Sequence, residues 1–193
     1  IVVGGRFTSS SITVGDYTLT NAGSCDGIVI KYGVDGKVEW STSIGGTGSD
    51  YIQSVASTSD GGIVVGGRFT SSSITVGDYN LTNAEANQSY PGEDGMVIKY
   101  GADGSVQWAT SIGESDYDYI ESVSETSDGE IIVGGYFRSS SITVGDYTLT
   151  NAGSYDGMVI KFGADGEVEW ATRIGGDDAD YIYSVAATSD GGY

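Results

Sequence analysis

Apolar residues along this chain come in short bursts bounded by Gly, Asp and Ser, a spacing that predicts strands and nothing that reads as a helix. In mid-chain the bursts are YIQSVAST (51–58), GIVVGGRF (62–69), GMVIKYG (95–101) and SVQWATSIG (105–113). They differ in kind. The first is rich in small residues (Ser54, Val55, Ala56, Ser57) and suits a crowded place. The second and third are apolar on both faces, as strands covered from both sides must be. The fourth alternates: Val106, Trp108, Thr110 and Ile112 share one face, and Ser105, Gln107, Ala109 and Ser111 share the other. That pattern marks a half-exposed, peripheral strand. Asp-Gly turns within Ser59–Gly62 and Gly101–Gly104 predict tight hairpins, so consecutive strands are antiparallel neighbours in a four-stranded meander.

The pattern is written three times. The segment IVVGGRFTSSSITVGDY that opens at Ile1 returns from Ile63, and again from Ile131 as IIVGGYFRSSSITVGDY. This predicts an all-β repeat architecture with units 1–62, 63–130 and 131–193. Strands graded from small residues, through fully apolar, to amphipathic match the radial order of a β-propeller blade. A β-solenoid would use shorter coils, on the order of 20–30 residues, without Asp-Gly hairpins at its corners. A β-sandwich would not repeat its sequence at this period.

Between the second and third strands each unit carries a longer connection, in which ITV and YTL flank Gly15-Asp16. Glycine at the first turn position predicts a type II′ hairpin standing on each blade. The second unit is longer here, and its insertion around EANQSYPGE, with the one proline, Pro91, is expected to protrude as a mobile loop. The chain opens and closes in mid-blade, which reads as a segment of a longer array, with exchange of the terminal strand between copies as the alternative.

Twenty-seven acidic residues against 8 basic ones give a net charge of −19, a field that repels nucleic-acid phosphates and anionic lipid. No apolar run is long enough to form a transmembrane helix. A basic protein or a cation is favoured electrostatically. Histidine is absent, which removes Ser-His-Asp and Cys-His machinery and the usual zinc ligand sets. Cys25 has Tyr155 as its repeat equivalent and is read as incidental, ahead of a nucleophile.

The runs DGIVIKYG, DGKVEW, SIGGTGSDY and TSDGGIVVGG together resemble the bacterial seven-bladed β-propeller repeat of large secreted or surface-attached proteins. The matching stretches are Asp26 to Lys31, Gly36 to Ser41, Gly45 to Asp50 and Asp60 to Gly66, and Gly113-Glu114 departs from the double glycine of that pattern. The resemblance implies a non-catalytic extracellular scaffold or adhesion module, with no catalytic residues to carry over.

Two sets of residues stand out as candidate sites. The acidic turn after the fourth strand holds Asp50, then Asp116 and Asp118, then Asp177, Asp178 and Asp180. Oxygen-rich loops suit calcium; the competing reading is that Asp50, Asp118 and Asp180 accept backbone hydrogen bonds at the turn. Tyr17, Tyr79 and Tyr147 sit in the hairpins beside Thr and Asn, where they either stack on sugars in a lectin-like role or pack each hairpin onto its blade. Lys31, Lys99 and Lys161 lie in apolar strands and are expected to pair with turn carboxylates or extend to the rim. Trp40, Trp108 and Trp170 read as packing between blades. Asn80-Leu-Thr82 and Asn87-Gln-Ser89 match glycosylation acceptors by chance. The first reading is therefore an interaction scaffold without catalytic activity, followed by a carbohydrate-binding propeller. A carboxylate-dependent glycosidase or lyase comes last, because identical blades offer no unique catalytic pair.

Overall fold

A computed structural model describes residues 1–84 and 92–188. Every regular element among them is a strand. The first unit contains β1 (Val2–Phe7), β2 (Ser11–Val14), β3 (Tyr17–Thr20), β4 (Asp26–Tyr32) and β5 (Val38–Ile44). The second contains β6 (Asp50–Ser57), β7 (Ile63–Phe69), β8 (Ser73–Val76), β9 (Tyr79–Thr82), β10 (Asp94–Tyr100) and β11 (Val106–Ile112). The third repeats these as β12 (Asp118–Glu125), β13 (Ile131–Phe137), β14 (Ser141–Val144), β15 (Tyr147–Thr150), β16 (Asp156–Phe162) and β17 (Val168–Ile174). The predicted loop around Pro91 and the acceptor at Asn87 lie outside the described residues; Asn80 lies in β9.

Strands β6, β7, β10 and β11 form a four-stranded antiparallel meander in chain order, and β12, β13, β16 and β17 form a second. Strands β1, β4 and β5 form a three-stranded sheet equivalent to the outer three of each meander. The hairpins β2–β3, β8–β9 and β14–β15 stand apart as two-stranded ribbons. Gly15, Gly77 and Gly145 have φ of 58°, 58° and 57°, while among the described residues none other than glycine has positive φ. That is the type II′ signature the sequence predicts. The Asp-Gly turns resolve differently. Thr58 N–H donates to Gly62 O and only Gly61, at φ 81°, is left-handed, so this is a three-residue loop with a glycine bulge.

The sheets pack face to face in chain order. One core joins Val29, Trp40 and Ile44 of the first sheet to Ile52, Val65, Phe69 and Ile98 of the second. The next joins Val64, Val97, Trp108 and Ile112 to Ile120, Val133, Phe137 and Met158 of the third. Tryptophan ties each outer strand to the following sheet: Trp40 Nε1 donates to Ala102 O at 3.2 Å and Trp108 Nε1 to Ala164 O at 3.1 Å. The small-residue strands run side by side, with Val123 N–H donating to Ser54 Oγ at 3.1 Å and Val185 N–H to Ser122 Oγ at 3.1 Å. Small residues are needed here because adjacent sheets converge at this edge.

Candidate functional site

The residues repeated in every unit are engaged within the fold. Tyr17 Oη donates to Glu39 O, Tyr79 Oη to Gln107 O and Tyr147 Oη to Glu169 O, each at 2.6 Å. Each tyrosine clamps its hairpin against the outer strand of its own sheet. The six acidic candidates do not converge either. Asp50 and Asp118 are fully buried at the turn. Asp50 accepts from Gly46 N (2.9 Å), Ser71 N (3.2 Å) and Ser71 Oγ (2.6 Å). Asp118 accepts from Glu114 N and Ser139 Oγ in the same way, and Asp180 accepts from Gly176 N at 2.8 Å. Asp116 pairs with Arg138 at 3.2 Å, while Asp177 and Asp178 are exposed. Among the described residues no three acidic, histidine or cysteine side chains come together around a point where a metal ion would sit. Cys25 is buried, with Sγ against Asp50 O.

The lysines divide. Lys99 Nζ lies 2.8 Å from Asp60 Oδ2 and 2.8 Å from Thr58 Oγ1, pairing with the turn carboxylate as expected. Lys161 instead meets Glu130 (2.6 Å) and Glu169 (2.8 Å), because Glu130 replaces the glycine found at position 62. Lys31 crosses to the carbonyls of Gly61 and Ala102 in the next sheet.

A different set of residues gathers at one end of the small-residue strands. The Arg6 guanidinium lies 4.6 Å from the centre of the Tyr51 ring. Arg68 lies between Tyr51 (4.9 Å) and Tyr119 (4.6 Å), and its Nε is 2.8 Å from Glu93 Oε2. Tyr119 meets Tyr136 edge-on at 5.0 Å, and Tyr136 meets Tyr155 (5.7 Å), Tyr181 (4.8 Å) and Tyr183 (6.1 Å). At the flank, Arg138 lies 5.9 Å from both Tyr117 and Tyr155. The result is a continuous belt of arginine and tyrosine. Register builds it: Tyr51 pairs across the ladder with Arg68, Tyr119 with Tyr136, and parallel bridges bring Glu93 beside Tyr117 and Tyr155 beside Ala179.

Electrostatics follow from packing. Burial pushes the Tyr136 phenol up to about 12, helped by the Glu121 charge. The Tyr119 phenol is raised further for the same first reason, with Glu93 adding to it. Burial also raises the Glu93 carboxyl, although Arg68 opposes the shift. The raised phenols of Tyr119 and Tyr136, and the arginines Arg68 and Arg138 held by Glu93 and Asp116, are suited to stacking and cation–π contact.

Sequence reasoning missed this belt because it weighed each repeated residue by itself. The belt joins a tyrosine that every copy carries, Tyr51, Tyr119 and Tyr181, to neighbouring positions where the copies differ: Arg6, Arg68 and Tyr136; Gln53, Glu121 and Tyr183; Cys25, Glu93 and Tyr155; Ser49, Tyr117 and Ala179; Thr8, Thr70 and Arg138. A search for exchanges between aligned copies finds the second set.

No family profile matches the chain. It is 24% identical over 180 residues to an uncharacterised WD repeat-containing protein, L264, of Acanthamoeba polyphaga mimivirus, covering 81% of this chain and 12% of that protein. It is 27% identical over 144 residues to the regulatory protein FlaEY of Caulobacter vibrioides, covering 75% of this chain and 15% of the relative. The chain thus spans less than a sixth of either relative. This distant similarity fits a repeated, propeller-like scaffold.

Proposed function

We infer that the chain is a β-propeller segment serving as a non-catalytic interaction scaffold, with the arginine–tyrosine belt as the surface presented to a protein partner. One observation carries this reading: the hairpin tyrosines and the turn aspartates Asp50 and Asp118 are spent on internal bonds, whereas arginines and tyrosines of successive sheets stack into one belt at one end. Tyrosine and arginine are also the residues enriched at protein interfaces, where they supply large contact area at low entropic cost. The resemblance to secreted and surface propeller repeats supports an extracellular or cell-surface setting, and the net charge of −19 favours a basic partner.

The test uses the exposed flank. Affinity capture with the intact chain is compared with Tyr117→Ala and Arg138→Ala variants. A specific partner retained by the parent chain and lost by both variants supports the reading; a partner bound equally by all three removes the belt from it. The lectin-like alternative rests on Tyr17, Tyr79 and Tyr147. A glycan array bound by the parent chain, and not by the three corresponding phenylalanine variants, would favour it.

A further inference from the structure

We propose that the cleft where the second hairpin meets the first sheet binds a neutral sugar, held by the Tyr100 hydroxyl, the Asp78 carboxylate and the hydroxyls of Thr42, Ser43 and Ser105. The cleft shares no residue with the arginine–tyrosine belt and does not depend on it.

The first observation is the cleft itself. The β8–β9 hairpin stands between two sheets: Ile74, Val76 and Leu81 share one core with Trp40 and Ile44 of the first sheet and Tyr100 of the second. Beside the hairpin turn, between β5 and β11, a cavity of about 390 Å³ remains, with Thr42, Ser43, Thr75, Asp78, Tyr100 and Ser105 in its lining. That size is at the lower end of small-molecule sites, which run from roughly 300 to 1,000 Å³. Its walls are fixed in advance. Tyr79 Oη holds the hairpin to Gln107 O, and Trp40 Nε1 holds the turn before Gly104 through Ala102 O. Two glycines allow the close approach: a Cβ on Gly77 would meet Val106 at 3.0 Å, and one on Gly104 would meet Trp40 at 2.9 Å. In the first unit the equivalent turn positions line a hollow of about 300 Å³, so the repeat builds the frame.

The second observation is a hydroxyl without a partner. Tyr100 is 2% exposed, and its Oη is buried with no hydrogen bond among the described residues. Buried phenols normally find a partner, and one left without it costs stability. The fold does not require this hydroxyl. Phe162 takes the equivalent place in the third unit, packed on Trp108 as Tyr100 packs on Trp40. A molecule in the cleft supplies the missing partner.

The third observation is the chemistry of the lining. Thr42 Oγ1 donates to Ser43 O at 3.2 Å, and Ser105 Oγ donates to Asp103 Oδ1 at 2.6 Å. Both hydroxyls have spent their proton and remain only as acceptors. With the Asp78 carboxylate, they call for a ligand that donates. The Tyr100 phenol, kept neutral by burial, calls for one that accepts. A sugar hydroxyl does both, whereas an ammonium or a metal ion cannot accept the phenol proton. No lysine or arginine lines the cleft, so a phosphate or carboxylate would meet Asp78 without a counter-charge. The next junction differs at the two deciding positions, where Phe162 and Glu167 replace Tyr100 and Ser105.

Calorimetric titration and saturation-transfer NMR of the chain 1–193 test this with glucose, galactose, mannose, maltose and lactose as probes. Glucuronate and glucosamine serve as charged controls. At least one neutral sugar is expected to bind, and neither control. In Tyr100→Phe its affinity is expected to fall about ten-fold, while the melting temperature stays at or above that of the parent, because an unpaired buried hydroxyl has been removed. Asp78→Asn, at an exposed turn, is expected to weaken the same sugar. Tyr117→Ala and Arg138→Ala are expected to bind it as the parent does, which keeps this site and the belt separately testable. The proposal is overturned if no neutral sugar in the panel binds, or if a charged control binds more tightly. It is equally overturned if Tyr100→Phe leaves the affinity unchanged, which assigns the hydroxyl to a trapped water, or melts below the parent, which makes the hydroxyl structural. Loss of the sugar in the two belt variants moves the site to the belt and overturns it as well.

Discussion

The ion pair of Lys99 and Asp60 predicts an asymmetry that can be worked from the structure. Lys99 is 3% exposed, whereas the Asp60 side chain is about half exposed, and their charged atoms are 2.8 Å apart. At an effective dielectric of ~20 the attraction is about 6 kcal/mol. Most of this offsets desolvation of the ammonium, and solvent at the Asp60 side screens the remainder. Asp60→Asn leaves a buried cation without its counter-charge, with only neutral acceptors: the substituted amide oxygen, Thr58 Oγ1 and Tyr100 O. The expected cost is about 2 kcal/mol, below the ~3–5 kcal/mol found for fully buried pairs. Lys99→Met removes the desolvated charge and leaves a carboxylate free to hydrate, so its expected cost is only about 0–1 kcal/mol. The Lys99 hydrogen bond holds the Asp60 carboxyl down at about 2. This contribution is complete above the unfolded carboxyl pKa of about 4 and is lost as the pH falls through 2. Urea unfolding of both variants at pH 7, 4 and 2.5 measures it. An Asp60→Asn penalty no larger than that of Lys99→Met, or one undiminished at pH 2.5, would refute the reasoning.

Trp108→Phe keeps the packing against Phe162 but leaves Ala164 O without its donor, with an expected loss of about 1–1.5 kcal/mol in chemical unfolding. Tyr79→Phe removes an exposed bond to Gln107 O, so about 0.5–1 kcal/mol is expected, together with faster amide exchange confined to β8 and β9. Calcium at millimolar concentration is expected to leave the melting temperature unmoved, because Asp50 and Asp118 already accept donors from the fold; a rise that chelator reverses would restore the acidic turn as a cation site. Burial raises the carboxyls of Asp26, Asp118 and Glu93, so each binds its proton more tightly folded than unfolded. Their stabilisation is complete below the unfolded pKa and lost as pH rises through the folded one, while Asp60 works in the opposite sense. The unfolding midpoint is therefore expected to be highest at about pH 4–5 and to decline on either side; a steady fall from pH 7 to pH 4.5 would contradict these assignments.

How far the sequence reads correctly depends on how local each determinant is. The strands were legible because their burial is decided by a few residues: GMVIKY is apolar on both faces and β10 is buried throughout. The Gly15-Asp16 turn was legible because type II′ geometry needs positive φ at one position only, and glycine marks it. The three-residue form of the Asp-Gly turns was not, since Thr58–Gly62 closes by a register that the dipeptide alone does not specify. Among site residues, Asp50 and Asp118 were read correctly in their structural alternative, because an invariant turn carboxylate beside glycines has few other uses. The lysines were half legible: the sequence places a carboxylate near each strand end, but Glu130 captures Lys161 only because of a substitution in another strand. The belt is the hardest case. Arg68, Tyr119 and Tyr136 meet only when a cross-strand register and the packing of two sheets act together, and no spacing along the chain encodes both.

That difference has a physical consequence for recognition. A module copied with identical side chains presents the same groups once per blade, at separations fixed by the sheet spacing, and so cannot build a single asymmetric site from them. Specificity has to come from positions where copies differ and which the fold brings into contact. Here several of those positions, among them Arg68 and Tyr136, Glu121 and Tyr183, and Glu93 and Tyr155, lie at one end of the small-residue strands, beside the tyrosine common to every copy. Tyrosine content rises around this end, from Tyr51 between Arg6 and Arg68 to the cluster of Tyr119, Tyr136, Tyr155, Tyr181 and Tyr183.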